Sequence, residues 1–396
     1  MTGHRAHWDL DEEVTFLNHG SYGACPRVVR EAQRAWQDRM ESEPVRFFQR
    51  EYQDALDEAR ASLGALIGAQ PEDLAFVPNA TYGVNSVVAS FPLRAGDEIL
   101  VPNHAYAACH NAVDYFAERA GAQVKVIPIP FPCEDPEIVI ERVLAAVTDR
   151  TVLALIDWVT SPTALMMPVA GLVEALEERG VDTLVDAAHG VGMTPLDLDT
   201  LGAAYTTGNC HKWLCTPKGS AFLHVRADRR ERVRPAAISH GATASDERRS
   251  RFHLEFDWTG TYDPTALLVI PDAIAFLETL EDGGIDGLMA RNRSLCLTER
   301  EHLADLLRTP LPCPESMIGT LAAIPLRNRD VRPAVWPLEE DPLQEWLWAE
   351  ARVEIPVFAW PALDTRMIRI SAAAHNDPSD YARLREALKG APSELL

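Results

Sequence analysis

The sequence predicts an α/β fold: a mostly parallel seven-stranded sheet with helices on both faces, then a smaller α+β domain. Three observations carry this. Between about residues 74 and 226 short apolar runs alternate with helical stretches. The 396 residues exceed what one small core needs. From about residue 285 the rhythm changes to a long helix, a few strands and a closing helix.

The seven strand-like runs are "LAFVPN", "EILVPN", "VKVIPIP", "TVLALIDW", "DTLVDAA", "AAYTTGN" and "SAFLHV". Between them lie the helical stretches "TYGVNSVVASF", "YAACHNAVDYFAERAG", "EIVIERVLAAV" and "PVAGLVEALEERG". Upstream, residues 26–68 carry apolar positions at helix spacing and close on Gly68. Residues 227–262, rich in Arg, Ser and Gly, break the rhythm and read as loop. "PTALLVIPDAIAFLETL" reads as one helix leading out of the large domain, placed at 26–280. The small domain, 281–396, holds the strands "IGTLAAIPL" and "MIRISA" and ends on the helix "DYARLREALKG".

Composition excludes several classes. The formal net charge is −22 and the pI about 4.9, so nucleic acid and anionic membrane surfaces are not expected partners. Seven cysteines form no CxxC pair and no metal-finger spacing, so no metal is expected and a reducing, cytoplasmic setting is. The N-terminal "MTGHRAHWDLDEEVTF" has no apolar h-region, and no run approaches a membrane span of roughly 18 apolar residues. There is no G-x-G-x-x-G after the first strand and no G-x-x-x-x-G-K-[ST], which argues against a nucleotide enzyme.

Ligands of open α/β sheets bind at the carboxyl ends of strands, and four of these strands end in polar clusters. In "VPNATYGVN" a helix opens at Asn79-Ala80-Thr81; its free N–H groups suit a phosphate, or the feature is an ordinary N-cap. "LVPNHAYAACH" places His104 and Tyr106 where either ring could stack on a flat ligand. "LVDAAHG" ends an apolar strand with Asp186, and His189 follows. A carboxylate there needs a partner, either a pyridinium nitrogen or nearby backbone N–H groups. In "GNCHKWL", Lys212 sits among apolar neighbours. It is either a desolvated amine ready to attack a carbonyl or a lysine snorkelling to water. Together the four clusters match the needs of pyridoxal phosphate (PLP): a lysine for the Schiff base, an acid for the ring nitrogen, a flat cover and a phosphate site.

The chain resembles the class V aminotransferase-fold (fold type I) PLP enzymes, and is most similar to the isopenicillin N epimerase-like group. The carriers are "FLNHGSYGACPRVV", "NATYGVN", "VTSPTALMMPV", "LVDAAHGVG", "GNCHKWLCTPKGSAFLHV", "TGTYDPTALL" and "IRISAAAHND", in order along nearly the whole chain. The resemblance implies that Lys212 is the Schiff-base lysine and proton shuttle, and that Asp186 pairs with the pyridine nitrogen. It places His189 near the phenolic oxygen, and Ser161 against that oxygen or the ring's face. It makes Thr81, Asn209 and His211 phosphate ligands, aided by the Ala80 and Thr81 backbone N–H groups. Tyr106 matches the stacking position best, His104 second. Thr261 would reach the phosphate of a neighbouring subunit, which implies a homodimer with shared active sites. Arg369 would bind the substrate α-carboxylate; without the family pattern it reads as a surface arginine on a strand. Residues 1–25 would form an arm contributing Asn18, His19 and Tyr22 to the substrate side.

The expected function is chemistry at the Cα of an amino acid or related intermediate of secondary metabolism. Epimerisation, C–S lysis, transamination and decarboxylative deamination are all open. The alternative is a catalytically idle binding or regulatory protein of the same fold, against which Lys212, Asp186 and Arg369 count. "RVEIPVFAWPALDTRMIRIS" lacks the nucleophilic cysteine of related desulfurases, which speaks against a persulfide mechanism. "HAYAAC" lacks the acidic residues expected of the antibiotic-pathway epimerases, which weighs against epimerisation.

Overall fold

Side chains alternate faces along a strand, and in the strands of the large sheet other than Gln123–Ile127 both faces are buried, so each of these strands feeds two cores at once. In the strand Thr151–Asp157, Leu153 and Leu155 join a cluster with Val84, Val101 and Val113. Ala154 and Ile156 join another with Val139, Leu172 and Val185. That is why these runs read as continuously apolar. The structure is a computed structural model and describes residues 3–246, 248–327, 339–362 and 365–396.

The strands are β1 (Thr15–Phe16), β2 (Leu74–Val77), β3 (Glu98–Pro102), β4 (Gln123–Ile127), β5 (Thr151–Asp157) and β6 (Asp182–Asp186). They continue with β7 (Tyr205–Asn209), β8 (Ala221–Val225), β9 (Leu321–Pro325), β10 (Val353–Glu354), β11 (Val357–Ala359) and β12 (Arg366–Ser371). Seven form one sheet in the order β2-β8-β7-β6-β5-β3-β4. The pairs from β7 through β4 are parallel; β8 runs against both its neighbours. The loops at the carboxyl ends of β2, β3, β5, β6 and β7 therefore meet along one edge, which is where the polar clusters lie.

Two helical expectations changed. The span 227–262 holds a short helix, Arg251–Phe256, capped by the Ser250 side chain on the His253 N–H. The single helix expected after Pro264 is two, Thr265–Leu268 and Ile270–Leu277. Pro271 has no N–H to donate and its ring crowds the carbonyl four residues back, so the first helix stops.

The second sheet, β11-β12-β9, is antiparallel and packs on the long helix Gly284–Leu307. β1 pairs in parallel with β10. This two-residue ladder, too short to show as a pattern, ties the N-terminal segment to the C-terminal part and leads residues 18–25 across the strand ends. No described helix is long and apolar enough to cross a membrane.

Candidate active site

Lys212 follows β7 in a turn that Trp213 and Leu214 bury on the apolar side. Its Nζ lies 3.2 Å from His189 Nε2. Trp213 Nε1 donates to His189 Nδ1 at 3.1 Å. An indole N–H can only donate, so Nδ1 carries no proton and the neutral ring keeps its proton on Nε2. Burial holds His189 well below its usual pKa, helped by the charge of Lys212. Burial also pushes Lys212 down to about 8; the Arg369 cation adds to this and Asp186 opposes it. The free amine is thus accessible near neutral pH.

The N-terminal segment closes over this turn. Gly23, at φ +71°, lies so near that a Cβ would sit 2.1 Å from the His211 carbonyl oxygen. His19 was expected on the substrate side, but it is fully buried. Its Nε2 donates to the Lys212 carbonyl at 2.9 Å and its Nδ1 meets His375 Nε2 at 3.1 Å. It clamps the lysine's backbone, with no ring nitrogen left for a ligand. Asn18 donates to Glu354 at 3.3 Å and accepts from Ser21 at 2.5 Å. Tyr22 is exposed.

Asp186 and Asp157 end neighbouring strands in direct register. Asp186 accepts from the Ala188 N–H at 2.9 Å and the Cys109 thiol at 3.1 Å. Asp157 accepts from the Tyr106 N–H at 3.3 Å. Burial raises the pKa of both, and the Asp186 charge pushes Asp157 further up. Neither buried acid forms a salt bridge with a cation among the described residues, and a protonated ring nitrogen is a fitting partner.

The helix Ala80–Ser90 starts beside β7, and Gly83 permits the approach: a Cβ there would lie 2.2 Å from Thr207 Oγ1. Asn209 Oδ1 accepts the Ala80 N–H at 2.9 Å. The Ala80 N–H is therefore not free for an anion, contrary to expectation. Asn209 instead has its amide NH2 to offer. His211 Nδ1 donates to the Ser220 carbonyl at 2.9 Å, so Nε2 is an acceptor in the neutral ring that burial favours, and it can donate to an anion only when the ring takes up a proton. Thr261 is exposed.

Arg369 is 1% exposed on β12. Its Nη1 donates to the Ser161 carbonyl at 2.6 Å and lies 3.3 Å from Ser161 Oγ; its Nη2 donates to Ser21 Oγ at 3.2 Å. The guanidinium lies 4.8 Å from the Phe358 ring centre. Ser161 thus holds Arg369 by its backbone, a role the resemblance did not suggest. Arg369 forms no ion pair with a described carboxylate, and burial lowers its pKa to about 10. A cavity of about 860 Å³ near Gln53, Arg249 and Trp258 contains none of these groups.

Comparison with known proteins agrees. Residues 14–329 match the family model described as aminotransferase class-V. The chain belongs to the class V aminotransferase family. It is 35% identical to isopenicillin N epimerase of Amycolatopsis lactamdurans, over 96% of each chain. It is 31% identical to a probable chloroplastic L-cysteine desulfhydrase of Arabidopsis thaliana, over 96% of this chain and 83% of that one. The fold is shared with a solved complex of the cystine C–S lyase C-DES with its product cysteine persulfide. That match has a TM-score of 0.77 at 19% identity, over 95% of this chain and 97% of the other. Cysteine desulfurase CsdA of Escherichia coli matches with a TM-score of 0.75 at 20% identity, covering 98% and 96%.

As a class V aminotransferase-family member, the protein is a PLP-dependent enzyme. The donor set fits the cofactor: an accessible amine, a buried acid pair without a cation, and a helix start backed by an amide and an imidazole. Of the two stacking candidates, Tyr106 is half-open at a helix start beside Asp186 and Arg369. His104 is fully buried, bonded to Thr163 at 2.7 Å and the Ile129 carbonyl at 3.0 Å, with Trp360 4.0 Å away. Sequence reading missed Trp213, Cys109, Asp157 and Ser21. Trp213 and Asp157 had a signal, as each adjoins a residue already singled out or ends a strand. Ser21 adjoins Tyr22 and lies in "FLNHGSYGACPRVV", whereas Cys109 had no signal.

Proposed function

We propose that the protein is a C–S lyase: it eliminates the β-sulfur of cysteine or a cysteine S-conjugate. With cysteine and one water the products are sulfide, pyruvate and ammonia. The carrying observation is that, among the described groups of the site, only Lys212 is prepared to take a proton near neutral pH. His189 has its proton on Nε2 and its Nδ1 occupied. Burial keeps the Cys109 thiol and Tyr106 phenol protonated. Asp186 is reserved for the ring nitrogen. A single base serves elimination; inversion at Cα asks for a proton donor on each face.

Bound PLP supplies an electron sink conjugated to Cα. Lys212 anchors the cofactor, takes the Cα proton and returns a proton to the departing sulfur. Arg369 holds the α-carboxylate with its planar fork, steadied by Ser161 and Ser21. Asp186 would keep the ring nitrogen protonated, and His189 would offer its Nε2–H to the phenolic oxygen. Thr81, Asn209 and His211 would hold the phosphate, with Thr261 of a second copy completing that site, and Tyr106 would cover the ring. The working unit is therefore a homodimer. Residues 1–25 act as the arm, 26–280 as the cofactor domain and 281–396 as the small domain, in a cytoplasmic protein. Residues 352–371 contain no cysteine, so sulfur leaves in solution and not on the protein. The relatives named L-cysteine desulfhydrase support this reading.

The 35% identity to an epimerase favours a second reading, inversion at Cα. Incubating the holoprotein with L-cysteine and following sulfide, pyruvate and Cα configuration separates them. Equal amounts of sulfide and pyruvate are expected. D-Cysteine without sulfide or pyruvate would overturn the lyase assignment.

A further inference from the structure

At the opposite end of the large sheet, His224 on β8 is 2% exposed, and neither ring nitrogen has a hydrogen-bond partner among the described residues. A buried imidazole is normally bonded. His224 pairs in register with Leu74 at the start of β2 and with Thr206 on β7, away from the loops that surround Lys212. Its Nε2 points at Asp199 Oδ1, 3.9 Å away, too far for a hydrogen bond. Asp73 is the third member: one donor atom from each of Asp73, Asp199 and His224 lies within 4.8 Å of the others.

We propose that Asp73, Asp199 and His224 form a divalent transition-metal site that ties β8 to the segment entering β2 and to the turn helix Leu198–Leu201. Two carboxylate oxygens and one imidazole are a donor set suited to zinc or manganese. Ligand atoms around a tetrahedral zinc stand roughly 3.4 Å apart, so closing the site asks each side chain to move by about an ångström or less. Each residue comes from a different element, so a bound ion would staple three parts of the fold. The surroundings favour a cation: Glu72 and Asp228 add to the negative field at Asp73. Gln70 Nε2 steadies Asp199 Oδ2 at 2.8 Å and leaves Oδ1 facing His224. One group competes. Arg230 Nε lies 3.0 Å from Asp73 Oδ1, and its Nη1 donates to the Glu72 carbonyl at 2.9 Å.

The test uses PLP-loaded protein stripped of metal and titrated with Zn2+ in equilibrium dialysis, with thermal unfolding read in parallel. Wild type should bind one zinc per chain that Asp199→Asn and His224→Gln lose, or bind at least tenfold more weakly. Zinc should raise the unfolding midpoint of wild type but not of Asp199→Asn or His224→Gln, with the visible cofactor band unchanged throughout. Arg230→Ala, which removes the competing cation, should tighten binding. Should His224→Gln fail to fold, Asp199→Asn decides, because that side chain is exposed. Equal zinc binding by wild type and Asp199→Asn, or no zinc on either, would overturn the proposal.

Discussion

Strand β12 carries two arginines, Arg366 and Arg369, each 1% exposed and three residues apart, so they leave opposite faces of the strand. Arg366 grips Asp341 with a two-pronged fork, 2.7 Å at Nε and 2.5 Å at Nη2, and its Nη1 donates to the Leu395 carbonyl at 3.0 Å. Arg369 meets only serine oxygens and an aromatic face, and its Nε has no acceptor among the described residues. Burying a guanidinium without an anion is costly. One strand therefore holds a charge whose partner is folded in and a charge with no anion among the described residues. The difference supports the proposal that Arg369 is a binding group more strongly than burial or residue type does.

Removing the folded-in pair should disturb the protein most. Arg366→Ala leaves Asp341 buried without its cation and should cost about 3–5 kcal/mol of stability. Denaturant unfolding checks this, and KM on the folded fraction should not move. Arg369→Lys keeps the charge and loses the fork. It should cost roughly 2–4 kcal/mol in kcat/KM, while the unfolding midpoint stays close to wild type.

Arg369→Met sharpens the contrast further. Removing an unpaired buried cation should change the stability of the cofactor-free protein by less than about 1 kcal/mol. It should also alter Lys212. Arg369 helps hold the Lys212 pKa near 8, so its loss raises that value. The pH midpoint for cofactor capture, near 8 in wild type because the neutral amine attacks, should move upward. The linkage has the matching sign. Between about 8 and 10.5 the unfolded chain holds the Lys212 proton and the folded chain does not, so the penalty for burying this cation, fully present below about 8, is relieved as pH rises through that window and cofactor-free stability increases.

Much of this was legible in the sequence because it rests on local pattern. The seven strands announce themselves by apolar runs, and Asp186, Lys212 and the helix start at Ala80 lie at their ends. What was not legible depends on contacts between distant segments. The β1–β10 ladder is two residues long, yet it carries the arm that sets Ser21 on Arg369 and His19 on the Lys212 carbonyl. Nothing near Ser161 signals that its backbone, 208 residues from Arg369, is an arginine ligand. The break at Pro271 was legible in principle, since a proline inside an apolar helical run marks a stop. Arg366 and Arg369 share one short motif, and only the partners supplied by the fold tell them apart.

The account turns on Arg369 reading a carboxylate beside Lys212. The direct measurement is the apparent Kd of holoprotein for L-cysteine and for cysteamine, the same molecule without the carboxylate, from the shift of the cofactor's visible band. Both are measured in wild type and in Arg369→Lys. Wild type should bind the amino acid far more tightly, and the variant should lose at least about 30-fold on L-cysteine, equivalent to roughly 2 kcal/mol, with little change on cysteamine. Equal losses on both ligands would contradict the account.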